Sequence, residues 1–357
     1  MLMRLAPLAS PVLAMAVLAL TWGTVPSTGL LVACGVGLMA AVLASVHHAE
    51  VVAHKVGEPL GTLVLALAVT VIEVALIVTL MLAGGDKAAY VARDTVYAAI
   101  MVIGTGVVGL CLLVGGWRHR EQTFRAEGAN AGWAALMALA GLTLVLPTYT
   151  TTTPGGTYSN SQLAFAGLAS LALWLAYVFV QTVRHRDYFL PVGAAHDDEV
   201  HAQPPSGMQT AVSVGLLVVA LVAVIGLAKV LSPTIEAVVD AARAPKAVIG
   251  VVIALLVLLP ETLAAIRAAH ANRLQTSLNL AIGSAMASIG LSIPVVAALS
   301  VWLGLPLHLG IDGKDLVLLV LTFGVGTLTM THGRTTIMQG AVHLVVFAAY
   351  LFLTLVP

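Results

Sequence analysis

Two carboxylates stand in stretches that otherwise hold no ionisable side chain. "VTVIEVALIV", residues 69–78, carries Glu73 in its middle, and "VLLPETLAAI", residues 257–266, carries Glu261. Carboxylate oxygens are hard donors that suit cations such as Ca2+ and Na+. Taking a carboxylate out of water favours its protonated form. A proton and a metal ion then compete for the same oxygens. Two glutamates hold two protons or one Ca2+ at equal charge. One monovalent ion needs a single carboxylate, helped by hydroxyls and carbonyls.

The stretches that position these acids follow from composition. Of 357 residues, 60% are hydrophobic and 9% charged, against roughly 25% charged in soluble domains. The fold class expected is an all-α polytopic membrane protein. Eleven apolar stretches approach the roughly 20 residues that a span needs. They lie near 8–22, 28–46, 57–82, 94–116, 131–147, 161–183, 209–231, 246–268, 274–303, 314–331 and 337–356. Pro294 inside 274–303 predicts a kink or a break there. The 16 basic and 16 acidic residues cancel, which argues against a nucleic-acid partner. Cys34 and Cys111 fall in apolar runs and suggest neither a disulfide framework nor a thiolate metal site.

Alternating eleven spans puts ten Lys and Arg residues on one side and six, Lys87, Arg93, Lys229, Arg243, Lys246 and Lys314, on the other. The richer side is cytoplasmic by the positive-inside rule. That places the N-terminus inside and the C-terminus outside. The polar segment 184–208, with His196, Asp197, Asp198, Glu199 and His201, then reads as a cytoplasmic acidic and His-bearing linker.

The linker divides the chain into 1–27, an N-terminal helix, 28–183, a first five-helix repeat, and 209–357, a second. Aligning Pro59 with Pro245 sets Glu50 on Glu236 and His54 on Asp240, each pair four apart on one face of a short helix. A glycine, an apolar run and the lone glutamate follow each proline. Next comes a helix rich in small residues, with Gly104–Thr105 in one copy and Gly283–Ser284 in the other. Five is odd, so the second copy enters the membrane from the opposite side. Such inverted repeats create midplane sites reached from alternate sides.

Glu73 and Glu261 both fall near mid-depth, where an uncompensated charge costs several kcal/mol. They are the expected cation and proton site. Thr105, Ser284 and Ser288 are expected to add hydroxyls, although close helix packing also uses such small residues. Pro260 either frees a carbonyl or only kinks its helix. Glu50, His54, Glu236 and Asp240 sit at helix mouths, where they gather cations, sense pH or form a solvated face. His343 lies inside the last span, where a satisfied interior histidine is the default reading.

"HHAEVVAHKVGEPLGTL", "VIEVALI", "RDTVYAAIM", "PETLAAI", "NLAIGSAMASIGLSIPVV" and "GRTTIMQGAVHLVVFAAYL" together resemble the ChaA-type bacterial cation/proton antiporters, a branch of the Ca2+/cation antiporter superfamily. The resemblance implies an N-terminal helix, two inverted five-helix repeats and a glutamate ligand in each, which map onto Glu73 and Glu261. It implies a bacterial inner membrane, Ca2+, Na+ or K+ exchanged for protons, lipid and inorganic ions as partners, no cofactor and no enzymatic reaction. Thr70-Val71-Ile72 and Leu258-Leu259-Pro260 replace the Gly-Asn of many calcium exchangers, and Asn279 stands where many of them carry Asp. One charge fewer weakens Ca2+ against a monovalent ion. A passive channel and a Na+-coupled exchanger remain the competing readings. Oligomeric state leaves no mark in the sequence.

Overall fold

A computed structural model describes residues 2–24, 26–57, 60–84, 88–191 and 205–357. Lys87 and the His196–His201 part of the linker lie outside the described residues. Eleven long helices follow in order: α1 (Leu2–Thr21), α2 (Thr28–Val56), α3 (Leu60–Gly84), α4 (Val91–His119), α5 (Ala126–Tyr149), α6 (Asn160–Arg184), α7 (Gly207–Ala241), α8 (Ala247–His270), α9 (Leu274–Leu303), α10 (Gly313–Thr331) and α11 (Ile337–Leu355). Ten are long and apolar enough to cross a bilayer, and α1 contributes the shorter apolar stretch Ala6–Thr21. The fold is therefore the all-α polytopic one that the hydropathy predicts.

Two features run further than the apolar pattern. α2 continues to Val56 and α7 to Ala241, so Glu50, His54, Glu236 and Asp240 ride on the last turns of long helices rather than on short separate ones. At 1.5 Å per residue, the 35 residues of α7 exceed a hydrocarbon core of about 30 Å, and its polar end emerges without a break. The second is α9, which stays one helix through Pro294 instead of breaking.

The helices form two units. The first, Met1–Ala88 with Asp198–Ala244, gathers α1, α2, α3 and α7; the second, Ala89–Asp197 with Pro245–Pro357, holds the remaining seven. Within the first unit α2 lies along α7, and α1 and α3 pack on both. His48, 1% exposed, ties three of these helices together. Its Nε2 lies 3.0 Å from Pro7 O and its Nδ1 3.2 Å from Ser213 Oγ. The cause is local. Pro11 has no N–H, so the carbonyl four residues earlier, on Pro7, loses its helical donor, and the imidazole supplies one.

In the second unit α4 packs on α8 and α11, α6 on α9, and α5 on both α9 and α10. α4 is not uniform: Val102–Val107 is a π turn. Gly104 sits in it where other helices come close. A Cβ there would lie 3.1 Å from both Trp133 and Thr322. Two strands too short to read from sequence, β1 (Glu121–Thr123) and β2 (Arg334–Thr336), pair antiparallel with Gln122 opposite Thr335. Span alternation places both on the same side of the membrane. The opposite ends also agree, since Gly310 N–H donates to Gly156 O at 2.8 Å. Serine or threonine capping boxes start α6, α7 and α11, each Ser or Thr worth about 1 kcal/mol. Trp117 and Trp302, near the ends of α4 and α9, are about four-fifths exposed (81% and 80%). Cys34 and Cys111 are free and buried.

Candidate functional site

Glu73 lies in the middle of α3 and is 2% exposed. The helix that carries it is a nearly continuous aliphatic run, so its neighbours are Ile72, Val74 and Ile77, all buried. One turn earlier, Thr70 is buried with its Oγ1 making no hydrogen bond. An unengaged buried hydroxyl is rare, and here it stands within a helical turn of an acid.

Glu261 follows Pro260 in α8, which runs unbroken through the proline, and it is half-buried. Thr262 turns its hydroxyl back to Leu258 O at 2.7 Å. In the same unit α4, α8 and α9 pack against one another, and both α8 and α9 touch the π turn. The helices bearing Glu261, Thr105, Ser284 and Ser288 therefore meet. Thr105 is fully buried and donates to Met101 O within its own helix, which leaves its oxygen lone pairs available. Ser288 is 4% exposed and Ser284 half-buried.

Asn279 is engaged elsewhere. Its Nδ2 donates to Phe189 O at 2.6 Å, and its Oδ1 accepts from Gln275 Nε2 at 2.9 Å. Gln275 in turn accepts from Arg125 N–H at 2.6 Å. This polar chain fastens the 3-10 turn Arg186–Phe189 and the start of α5 to the beginning of α9. The mouth residues do not form one cluster either. Span alternation sets Glu50 and His54 at one end of the membrane and Glu236 and Asp240 at the other. Glu50, His54 and Asp240 are exposed and Glu236 is half-buried. Among the described residues no group of three or more His, Cys, Asp or Glu side chains could hold a metal ion.

A polar group at the start of α4 was not singled out in the sequence. Arg93 Nε lies 2.8 Å from Asp94 Oδ1, with both side chains close to nine-tenths buried. Arg93 also donates to Gly310 O at 3.0 Å and covers the Tyr90 ring at 4.6 Å. Tyr97 donates to Asp315 O at 3.0 Å. α8 presses on this spot, because a Cβ on Gly250 would come within 2.6 Å of the Asp94 backbone. An adjacent Arg–Asp pair opening an apolar run is the sequence signal that marks it.

A lone acid in an apolar membrane helix marks a candidate functional site. The model of the sodium/calcium exchanger protein family matches residues 26–183 and 212–356. This chain belongs to that family. Among its relatives, the exchanger is 51% identical to the candidate ionic transporter y4hA of Sinorhizobium fredii over 90% of this chain and 87% of that protein. It is 35% identical to the sodium-potassium/proton antiporter ChaA of Escherichia coli, over 96% of this chain and 93% of that one. The fold matches the Ca2+/H+ antiporter YfkE with a TM-score of 0.73 at 16% identity, covering all of both chains.

Proposed function

We propose that this exchanger is a cation/proton antiporter of the bacterial inner membrane, with Glu73 and Glu261 binding cation and proton in turn. The observation that carries the reading is Glu73, an acid 2% exposed in the middle of an aliphatic helix. Such a group is costly unless a proton or a cation neutralises it. The resemblance to ChaA, named for sodium, potassium and protons, supports Na+ and K+ as cargo. The match to a Ca2+/H+ antiporter of Aphanothece halophytica, 23% identical over 70% of this chain and 71% of that protein, supports keeping Ca2+ among the ions. Thr105, Ser284 and Ser288 complete the proposed ligand set. Asn279, with both ends of its amide in use, stands behind it.

The reading includes two inverted repeats, α2–α6 and α7–α11, with α1 outside them. Three features support it. The two segments matched by the family model coincide with the two repeats. Within the second unit, α4 on α11 has its counterpart in α9 on α6, and α5 meets its own counterpart α10. The Arg and Lys bias supports a cytoplasmic N-terminus and linker.

The test is flux through the purified protein in proteoliposomes with an imposed proton gradient. Addition of Na+, K+ or Ca2+ should dissipate the gradient, each with saturable dependence on its concentration. Ion movement without proton movement would indicate a channel. Ca2+ movement that needs Na+ and ignores pH would indicate Na+-coupled exchange, the reading that the family's description favours.

A further inference from the structure

His343 lies in α11 and is fully buried. It touches the one irregular turn of α4. Its Nδ1 lies 2.8 Å from Gly104 O, and its Nε2 lies 3.1 Å from Thr329 Oγ1. A carbonyl only accepts, so Nδ1 carries the hydrogen. Nε2 of the neutral ring is then the acceptor, and Thr329 is its donor. The single hydrogen of the threonine hydroxyl is shared between Nε2 and Val325 O, 3.0 Å away.

Gly104 O needs a donor because of the π turn. In a regular α-helix the N–H of Val108 would bond the carbonyl four residues back, on Gly104. Here it is shared between Ile103 O, five residues back, and Thr105 O, three back, and misses Gly104 O. The wide turn therefore takes the Val108 N–H away from Gly104 O, and Gly104 is buried. An unmet buried carbonyl costs free energy comparable to a lost hydrogen bond, and the imidazole restores the bond from a neighbouring helix. α11 comes close enough to do so because residue 109 is glycine: a Cβ there would lie 3.0 Å from His343 Cβ.

The residue after the capped carbonyl is Thr105. We propose that His343 is a positioning residue for cation exchange. Its Nδ1–H stands in for the missing backbone donor, holds the π turn open, and so fixes Thr105 where its oxygen meets the transported ion. The proposal rests on the reading of Thr105 as a ligand. It assigns His343 no contact with the ion. Thr105 lies inside the turn, so closing it to a regular α-helix would change the width of the backbone ring that carries Thr105 and rotate the residues beyond the turn by about 100°.

The replacements separate the two ring nitrogens. His343→Asn places an amide N–H close to the Nδ1 position, and His343→Gln places one close to Nε2. His343→Leu keeps bulk and removes both. Initial rates of Na+-, K+- and Ca2+-driven proton release would be measured in proteoliposomes against cation concentration, with thermal unfolding of the detergent-solubilised proteins alongside. His343→Leu and His343→Gln are expected to raise the half-saturating cation concentration about tenfold, with a smaller change in maximal rate. His343→Asn is expected to restore it to within about twofold of native. Nitrogen-15 spectra, assigned by the signal lost in His343→Asn, should show the neutral Nδ1–H tautomer. An Nε2–H tautomer, or an Asn variant as impaired as the Leu variant, overturns the proposal. A Leu variant that loses thermal stability but keeps native half-saturation makes His343 structural only, and also overturns it. Full exchange in Glu73→Gln and Glu261→Gln defeats the exchanger-site reading instead, which the Asn rescue does not depend on.

Discussion

Glu73 and Glu261 hold the same place in the sequence pattern and different places in the structure. The residue before Glu73 is Ile72, 1% exposed, and the acid itself is 2% exposed. Pro260 precedes Glu261, and that acid keeps part of its surface open. A carboxylate facing acyl chains is costly, so the proposed role of Glu261 requires its open part to face water rather than lipid. Equal chemistry thus comes with unequal reach. On the proposed mechanism, the comparison predicts that Glu261 exchanges with solvent before Glu73 in this conformation.

The strongest test of that comparison removes each charge. Glu73→Gln and Glu261→Gln should each lower exchange by about a hundredfold or more while the protein still inserts and unfolds cooperatively. Gln keeps size and hydrogen bonding but cannot lose a proton or balance a cation. Near-native exchange in either variant would show that its acid is structural. Shortening sharpens the contrast. Glu73→Asp pulls the carboxylate back inside a close-packed wall, where a missing methylene leaves a void. Glu261→Asp withdraws it from a site that water can refill. The first should cost about tenfold more in exchange rate than the second, and equal losses would erase the distinction.

pH supplies the next test. Protonated carboxylates cannot bind the cation, so apparent affinity should improve as pH rises and level off once both acids are ionised. Displacing one proton gives at most about tenfold per pH unit, and displacing two at most about a hundredfold, by linkage. Na+ and K+ should follow the shallow slope and Ca2+ the steep one between pH about 6.5 and 9. A half-saturation independent of pH would end the competition mechanism.

The smallest effect belongs to Asn279→Asp. The carboxylate cannot donate to Phe189 O, so the expected outcome is a stability loss of about 1–3 kcal/mol, read by thermal unfolding, with the Ca2+/Na+ ratio unchanged. A ratio shifted toward Ca2+ would place residue 279 beside the ion after all.

Much of this frame was legible because a bilayer leaves few choices. Backbone groups in lipid must be satisfied within a segment, so eleven apolar stretches became eleven helices with ends displaced by only a few residues at most sites. Helix ends outside lipid obey no such constraint, which is why α2 and α7 overran the apolar pattern by ten residues each (46 to 56 and 231 to 241). The lone acids stood out for the same energetic reason. The caps did not. His48 bonds a carbonyl orphaned by Pro11, and the proline is visible in sequence, but its partner lies 41 positions from Pro7. His343 bonds a carbonyl orphaned by a π turn, which has no residue signature of its own. Asn279 reads in sequence as a charge substitution, and its bond to a carbonyl 90 residues away is invisible there. Polar groups satisfied by distant backbone are what a one-dimensional reading loses.

Two exposed tryptophans of the second unit have a consequence for the lipid. Trp117 ends α4 and Trp302 ends α9, and span alternation sets them on opposite sides of the membrane. Indole rings settle at the headgroup boundary. The second unit is thus moored at both faces of the bilayer, and the distance between its moorings is a preferred hydrocarbon thickness. A thinner or thicker membrane imposes a mismatch that tilting or local lipid deformation must absorb. Acyl-chain length then acts on this protein as a variable separate from ion gradients, and the turnover of the exchanger should pass through a maximum as that length is varied.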